Sequence, residues 1–106
     1  MPSKKTDKQG GLGILDRQKN EYKKPRKFKC VMYNDDFTPM DIVTAILVQV
    51  FLKPTDEAFR LTMQVHEQGK GIAGIYSREV AESKCDKAVA IARQLGYPFK
   101  VMPEPE

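Results

Sequence analysis

Tryptophan is absent from this sequence of 106 residues, which has one histidine, two cysteines and 8% aromatic residues. Long apolar runs are absent too: no stretch approaches the roughly 18–20 residues of a membrane span. The lysine-rich start leads into glycines rather than an apolar signal region. A domain commonly takes about 100–200 residues. We therefore expect a single cytoplasmic domain that does not enter a membrane.

Motifs for catalysis or metal binding are scarce as well. Cys30 and Cys85 form no CxxC pair and have no histidine pair beside them, so no zinc site is predicted. Cys30 alternates with Phe28 and Met32, which favours a buried thiol in a reduced compartment. The sequence contains no phosphate-binding loop, HExxH motif or nucleophile elbow. A pair formed by the histidine and a distant cysteine is conceivable, but we expect neither enzymatic activity nor a cofactor.

Positive charge is concentrated near the amino terminus. Residues 1–27 contain nine basic and three acidic side chains, a charge of +6, whereas the other 79 residues contain nine basic and eleven acidic ones, a charge of −2. The first residues mix lysine, glutamine, glycine and asparagine around a short apolar patch, so burial there cannot offset the entropy of ordering. We therefore predict a mobile basic extension over residues 1–26 and a folded domain over residues 27–106.

The folded part begins with an alternating pattern, KFKCVMY, that predicts a strand. Thr38 is a candidate helix N-cap with Pro39 at the first helical position, and the apolar spacing then predicts a helix to about Phe51. A second helix follows Pro54, with Thr55 as its candidate cap.

Gly69 is predicted to end the second helix. The next elements are a strand over 71–76, a third helix capped by Ser77 and stopped by Gly96, a short strand over 98–102 and a frayed end over 103–106. The predicted fold is α+β, with a three-stranded antiparallel sheet packed against three helices in the order β-α-α-β-α-β.

Six residues in the segment from the end of the first strand to the end of the second helix exceed what a turn and a cap require: Asn34, Asp35, Asp36, Thr38, Met40 and His66. Asn and Asp after a strand commonly make turns, and a partly buried histidine can be purely structural. Together, however, an amide carbonyl, carboxylates and a neutral imidazole suit a cation with three N–H donors. An α-ammonium group fits, and the nearby apolar residues Met40, Val43, Met63 and Val65 would accept a hydrophobic side chain.

These residues carry a resemblance to a known family. YNDDFTPMDIV followed by MQVHEQGKGIAGIYSREVAESK resembles the ClpS family, adaptors that deliver proteins with destabilising N-terminal residues to the Clp protease. The resemblance covers about residues 27–102. The motifs NDD-x-TPM, VH-x-x-G and G-x-x-x-x-E-V-A-E-x-K are highly specific as a set.

The resemblance implies a role for each matching position. It places Asn34, Asp35 and His66 at the substrate α-amino group. It places a second set around the side-chain pocket: Asp36, Thr38, Met40, Val43, Thr62, Met63, Val65 and Phe99. It also implies that Glu79 and Lys84 dock on the N-terminal domain of ClpA, or of a ClpC-type unfoldase, and that residues 1–26 engage the unfoldase. A monomer is expected, with no nucleic-acid or membrane partner.

Two pocket positions depart from the common family pattern. Thr62 stands where many members have methionine, and Phe99 stands where leucine is frequent. The shorter Thr62 opens one wall of the pocket, whereas the larger Phe99 fills another. The resemblance implies binding of N-terminal Phe, Leu, Tyr and Trp, but their order of affinity stays open. β-Branched Val and Ile should fit poorly if Met40 narrows the entrance.

Two alternatives use the same sequence differently. An RNA-binding or ribosome-associated α/β domain would rely on the basic extension, and its affinity would fall steeply with salt. A purely structural ribosomal-type domain would share the fold but gain nothing from His66 or Asp35. If peptide binding survived substitution of either residue, these alternatives would be favoured.

Overall fold

The computed structural model describes residues 26–106, so all of the predicted extension except Arg26 lies outside the described residues. The elements follow the predicted order, and the predicted α+β fold is confirmed. They are β1 (Lys27–Tyr33), α1 (Met40–Gln49), α2 (Thr55–Gln68), β2 (Lys70–Ser77), α3 (Arg78–Gln94) and β3 (Lys100–Pro105).

The three strands form one antiparallel sheet in the order β2-β1-β3, with β1 in the centre. Cys30 pairs with Gly74 and Val31 pairs with Ile72, so Ala73 is an unpaired extra residue in β2, a β-bulge. The inner face of the sheet presents buried side chains to the helices: Cys30, Met32, Ala73 and Val101.

Helix α3 packs across this inner face and contacts all three strands. Its buried positions are small, namely Ala81, Cys85, Ala88 and Ala92, and their spacing puts them on one side of the helix. Small side chains let the helix axis approach the sheet closely. The larger apolar side chains of α1, among them Ile46 and Leu47, complete the core.

Two predicted helix caps are corrected by the structure. Helix α1 begins at Met40 with Pro39 at the N-cap position, and no side chain caps it, so the prediction of Thr38 as the cap is wrong. Thr55 is the first residue of α2, and Pro54 occupies the N-cap position. Both prolines have extended backbones that direct the chain into the helix.

Other helix ends follow the sequence. Gly69 ends α2 with φ of 92°, a left-handed conformation that glycine adopts readily. The Ser77 hydroxyl accepts a hydrogen bond from the backbone N–H of Val80, as a cap should. Helix α1 ends at Gln49, slightly before the predicted Phe51.

The carboxyl-terminal strand is longer than predicted. Strand β3 begins at Lys100 and continues through Pro103 to Pro105, and the backbone N–H of Glu106 donates to the Lys27 carbonyl at 3.0 Å. The prediction of a frayed end was therefore wrong. Proline is tolerated because β3 lies at the edge of the sheet, where part of the backbone needs no partner.

Candidate functional site

The loop after β1 is organised by the side chain of Asp35. Its Oδ1 accepts the backbone N–H groups of Phe37 at 2.8 Å and Thr38 at 2.7 Å, and its Oδ2 accepts the Thr38 hydroxyl at 2.9 Å. This is an Asx-type turn in which one carboxylate fixes the backbone leading into α1. A carboxylate has about four lone-pair sites, so one further donor can be accommodated.

A backbone contact joins this loop to the end of α2. The N–H of Asn34 donates to the Gly69 carbonyl at 2.9 Å, and the N–H of Gly69 donates to the Val65 carbonyl at 2.9 Å. His66 lies in the last turn of α2, so this contact brings it to the same region as Asn34. Both side chains are exposed to solvent, where a ligand can reach them.

A cavity of about 250 Å³ opens between the loop, α1, α2 and the segment before β3. Ten of the eleven residues predicted for the substrate site line it. The full lining is Tyr33, Asn34, Asp35, Asp36, Thr38, Pro39, Met40, Val43, Thr62, Val65, His66 and Phe99.

Met63 is the one predicted pocket residue that is not part of the cavity lining. Successive residues of a helix are rotated by about 100°. Thr62, Val65 and His66 are spaced by three and four residues and share one face of α2, whereas Met63 is turned away from it.

The cavity is apolar inside and polar at its mouth. Val43, Val65 and Phe99 are buried, whereas Asn34 and His66 are exposed. With Asp35 and Asp36 also in the lining, the mouth carries negative charge. A ligand that matches this arrangement has a cationic end and a hydrophobic side chain.

Thr62 adds a polar group to the wall, and its side chain is only 2% exposed. Its hydroxyl donates to the Ala58 carbonyl at 2.8 Å and lies 2.8 Å from the Thr44 hydroxyl, which in turn can donate to the Met40 carbonyl at 2.9 Å. Two hydroxyl hydrogens cannot fill three hydrogen bonds. One carbonyl therefore loses its hydroxyl partner whenever the two threonines bond to each other.

Sequence reasoning missed several residues that build this site. Tyr33 and Pro39 line the cavity directly. Arg93 acts from outside: its guanidinium donates to the Tyr97 carbonyl at 2.8 Å and to the Phe99 carbonyl at 3.0 Å. These bonds hold the turn that carries Phe99 to the cavity. Pro39 could have been found from its place before α1, but nothing local signals the role of Arg93.

Glu79 and Lys84 lie in a separate groove of about 360 Å³ between α3 and the end of α1. Lys84 is not simply a solvated charge, because its Nζ donates to the Val50 carbonyl at 2.8 Å and lies 5.4 Å from the centre of the Tyr76 ring. This groove shares no lining residue with the cavity: Val50, Glu79, Val80, Ser83, Lys84 and Lys87.

Cys30 in β1 and Cys85 in α3 are both buried, and neither forms a disulfide bond. A hydrogen bond with Cys30, together with burial, raises the pKa of Cys85, so its thiol stays protonated at neutral pH.

Over residues 26–106, no cluster of His, Cys, Asp and Glu side chains could hold a metal ion. Within the same range, no helix combines the length and apolar character needed to cross a bilayer.

An apolar cavity with a negatively charged mouth, carried by a small α+β scaffold, is the kind of site found in proteins that bind small ligands rather than in enzymes with a reactive centre. A sequence model of the family described as ATP-dependent Clp protease adaptor protein ClpS matches residues 23–102, which is most of the chain. The chain belongs to the ClpS family.

Individual relatives agree with this assignment. The chain is 40% identical over 98 residues to the ATP-dependent Clp protease adapter protein ClpS of Paraburkholderia xenovorans (strain LB400), covering 92% of this chain and 93% of the relative. It is 44% identical over 89 residues to the protein of the same name from Deinococcus radiodurans, covering 84% and 79%. Among solved structures, Agrobacterium tumefaciens ClpS2 bound to L-phenylalaninamide superposes with a TM-score of 0.77 at 32% identity, covering 78% of this chain and all of that one.

Membership of this family makes the chain an adaptor of the Clp protease, a non-catalytic role. The sequence-based expectation that the protein is not an enzyme is thereby confirmed. The resemblance seen in the NDD-x-TPM and VH-x-x-G patterns is confirmed as well.

Proposed function

We propose that the cavity binds the first residue of a substrate protein, with the free α-amino group at the mouth and a bulky hydrophobic side chain inside. The observation that carries this proposal is the combination in one cavity of acidic and histidine side chains at the opening and buried apolar walls. An N-terminal residue presents the matching pair of groups, a cation next to a side chain.

The ligand of the solved relative supports this assignment. L-phenylalaninamide, with which A. tumefaciens ClpS2 is described, has a free α-amino group, a phenyl side chain and an amide in place of the next peptide bond. It is therefore a minimal version of an N-terminal phenylalanine.

Three side chains are proposed to hold the α-ammonium group, which is mostly protonated at pH 7 since its pKa is about 7.7–8.0. The Asn34 amide carbonyl, the remaining lone pair of the Asp35 carboxylate and a ring nitrogen of neutral His66 each accept one N–H. Asp36 contributes negative charge nearby without having to touch the ligand. Three acceptors match three donors, so an acylated amino group would lose both its charge and its fit.

The apolar part is proposed to select the side chain. Val43, Val65 and Phe99 form walls that suit Phe, Leu, Tyr or Trp, and Met40 borders the opening. Val and Ile branch at the β-carbon, next to the backbone, so they would meet Met40 where the entrance is narrow.

Delivery is proposed to use the groove that contains Glu79 and Lys84. Opposite charges beside the exposed side chain of Val80 suit a docking surface for the N-terminal domain of a ClpA or ClpC-type unfoldase. Because this groove and the cavity share no residue, the adaptor can hold a substrate and an unfoldase at once. The proposed adaptor acts as a cytoplasmic monomer, and residues 1–26 are proposed to take part in delivery.

The direct test is fluorescence anisotropy with a labelled peptide that begins with Phe, compared with the same peptide after N-acetylation. We expect the free peptide to bind and the acetylated one to lose at least about tenfold in affinity, because a charged hydrogen-bonded group contributes about 1.5–3 kcal/mol. Equal affinities, or no binding of either peptide, would contradict the proposal.

A variant of His66 provides a second test with a matched control. His66→Ala removes the proposed acceptor, whereas Glu67→Ala alters the next exposed residue of the same helix, outside the cavity lining. Only His66→Ala should weaken binding of the Phe peptide. Equal binding of the Phe peptide by the wild type and His66→Ala would argue against the role of His66.

A further inference from the structure

The face of the sheet turned away from the helices has a regular arrangement of side chains. The strand registers place eleven residues on this outer sheet face. They are Lys27, Lys29, Val31 and Tyr33 of β1; Lys70, Ile72, Ile75 and Ser77 of β2; and Lys100, Met102 and Glu104 of β3. Within residues 26–106, the buried core lies on the other side of the sheet, and no helix packs across this one.

An apolar row crosses the middle of the outer sheet face. Val31 has Ile72 and Met102 as its cross-strand partners on either side. Val31 is 4% exposed, but Ile72 and Met102 are 41% and 44% exposed, and Ile75, on the same face, is 45% exposed. Val31 is not part of the main core cluster, so its burial comes from its neighbours on this face.

The bulge in β2 creates part of this apolar surface. In a regular strand Ile72 and Ile75 would point to opposite faces, since they are three residues apart. The extra residue Ala73 shifts the alternation by one position, and both isoleucines then face outward. The bulge thus exposes a second isoleucine, which regular alternation would have placed on the inner face.

Positive charge frames the apolar row. The strands of the outer sheet face hold four lysines, Lys27, Lys29, Lys70 and Lys100, and one acidic residue, Glu104; Glu106 follows β3 opposite Lys27. Residues 26–106 as a whole contain eleven basic and eleven acidic side chains and are formally neutral. The excess of positive charge on this face is therefore a local feature, opposite in sign to the mouth of the cavity.

We propose that the outer sheet face docks an amphipathic helix of a partner protein, with acidic residues flanking an apolar stripe. A face with exposed apolar side chains is stabilised by covering it with another element. The apolar row spans three strands, or about 10 Å, which matches the width of one helix. Lys70 lies near the Ile72 end of the row, on β2, and Lys100 lies near the Met102 end, on β3. Acidic side chains along both edges of the helix would meet these lysines.

A groove of about 430 Å³ beside the row gives such a helix a concave seat. Outer-face residues Val31 and Ile72 form one side, and three residues spaced along one side of α2 form the other: Leu61, Gln64 and Gln68. The glutamines offer hydrogen bonds to a polar edge, while Leu61 extends the apolar contact.

Charge argues against two other protein occupants. Residues 1–25 contain seven basic and three acidic side chains, so this chain's own amino-terminal segment would be repelled by the lysines. A second copy docked through the same face would bring lysines against lysines.

A nucleic acid matches the charge but not the centre of the face. Its bases need an open aromatic ring for stacking, and the only aromatic residue here is Tyr33. Lys100 lies 5.9 Å from the centre of that ring, and the Tyr33 hydroxyl donates to Glu104. The exposed aliphatic side chains instead favour a protein partner.

The test uses nuclear magnetic resonance of the full ¹⁵N-labelled chain titrated with a synthetic helical peptide. The probe has about 18 residues, about 27 Å of helix, with a leucine stripe flanked by glutamates. A control peptide has lysine at every glutamate position. We expect shifts at Ile72, Ile75 and Met102 with the acidic peptide, and at least about tenfold weaker binding of the basic one. Salt should weaken the interaction, because exposed charges are screened.

Matched variants assign the interaction to the face. The double variant Ile72→Thr/Met102→Thr should lower the affinity at least about tenfold. Leu95→Thr, which changes an even more exposed apolar residue beyond the end of α3, should leave the affinity within about twofold of the wild type. The charge-reversed variant Lys70→Glu/Lys100→Glu should prefer the basic peptide. All variants should still bind the Phe-initiated peptide, so failure here is distinguishable from failure of the cavity proposal.

Several results would overturn the proposal. These are equal binding of the acidic and basic peptides, shifts that map outside the outer sheet face, or no binding at millimolar peptide. If an oligouridine changed the chemical shifts of the outer-face lysines and the acidic peptide did not, the face would be a nucleic-acid surface instead. Concentration-dependent shifts of this face without any peptide would indicate a second copy.

Discussion

At the scale of single residues, Asp35 has two tasks that can be separated. Its carboxylate accepts three hydrogen bonds from the loop, and it is also proposed to attract the substrate ammonium group. The residue type alone favours either a turn or a charge site. In the structure, the loop hydrogen bonds leave one lone-pair site of the Asp35 carboxylate unused. Asp35 can therefore hold the turn and still accept a hydrogen bond from a ligand.

Substituting Asp35 in two ways should separate the tasks. Asp35→Asn keeps an oxygen for the backbone N–H groups but removes the charge. It should weaken binding of a Phe-initiated peptide about fivefold, because charged hydrogen bonds are roughly twice as strong as neutral ones. Asp35→Ala also removes the loop bonds and should lower the unfolding free energy by about 1–3 kcal/mol. Anisotropy and urea denaturation measure these effects, and equal destabilisation by both variants would contradict the separation.

Thr62 is the residue most able to alter side-chain selection. Thr62→Met places a larger apolar side chain in the wall, so we expect the relative affinities for N-terminal Phe, Leu, Tyr and Trp to change. Thr62→Val keeps the side-chain volume and removes one of the two hydroxyls, those of Thr44 and Thr62, that share two hydrogens among three possible hydrogen bonds. It should therefore change the free energy of unfolding by less than about 1 kcal/mol. Competition anisotropy with four peptides reads out the order. Unchanged relative affinities in Thr62→Met would disprove the prediction.

At the scale of elements, Lys84 ties α3 to the end of α1. The last carbonyls of a helix lack partners within it, and the Lys84 ammonium bonds one of them, that of Val50. The Tyr76 ring beneath adds a cation–π contact. Lys84 therefore helps to shape the groove in which it is proposed to dock an unfoldase.

Lys84 is thus both a structural residue and a proposed docking residue, and Glu79, proposed only for docking, is the comparison. Both Glu79→Gln and Lys84→Met should weaken binding to the isolated N-terminal domain of the unfoldase. Only Lys84→Met should also destabilise the fold, by about 1–2 kcal/mol, since it removes a charged hydrogen bond and a cation–π contact. Isothermal titration and urea denaturation provide the two readouts. If Lys84→Met leaves stability intact, its bond to α1 is not important.

At the scale of the whole molecule, opposite charges occupy different surfaces of residues 26–106, which are formally neutral. The acidic mouth of the cavity is proposed to attract a free amino terminus, and the lysines of the outer sheet face are proposed to attract an acidic partner. The net charge of +4 conceals this arrangement, because all of it belongs to residues 1–25.

The contributions of Cys85 and Tyr76 to stability should decline in alkali. The hydrogen bond with Cys30 and burial raise the pKa of Cys85 above its ordinary value of 9.0, and burial raises the pKa of Tyr76 above 10.0. A raised pKa means that the folded state favours the protonated form. The stability that these groups provide is thus complete below about pH 9 and is lost as the pH rises further.

Thermal melts between pH 7 and 11 test this dependence. The melting temperature should fall above about pH 9, and Cys85→Ala should reduce the steepness of that fall, whatever its effect at pH 7. An identical pH profile in wild type and variant would show that the thiol does not contribute.

The order of elements follows from the sequence because it depends on neighbours along the chain, and most of the site residues were predicted from the resemblance to the ClpS family. Alternation in β1, the apolar spacing of the helices and the cap at Ser77 are local signals, and ten of eleven predicted substrate-site residues line one cavity. Other features were decided only by tertiary structure. The rotation of α2 excluded Met63, Arg93 held the turn of Phe99, pairing with β1 extended β3 through two prolines, and a bulge turned Ile75 outward. Each depends on a partner distant in sequence, and no local pattern specifies that partner.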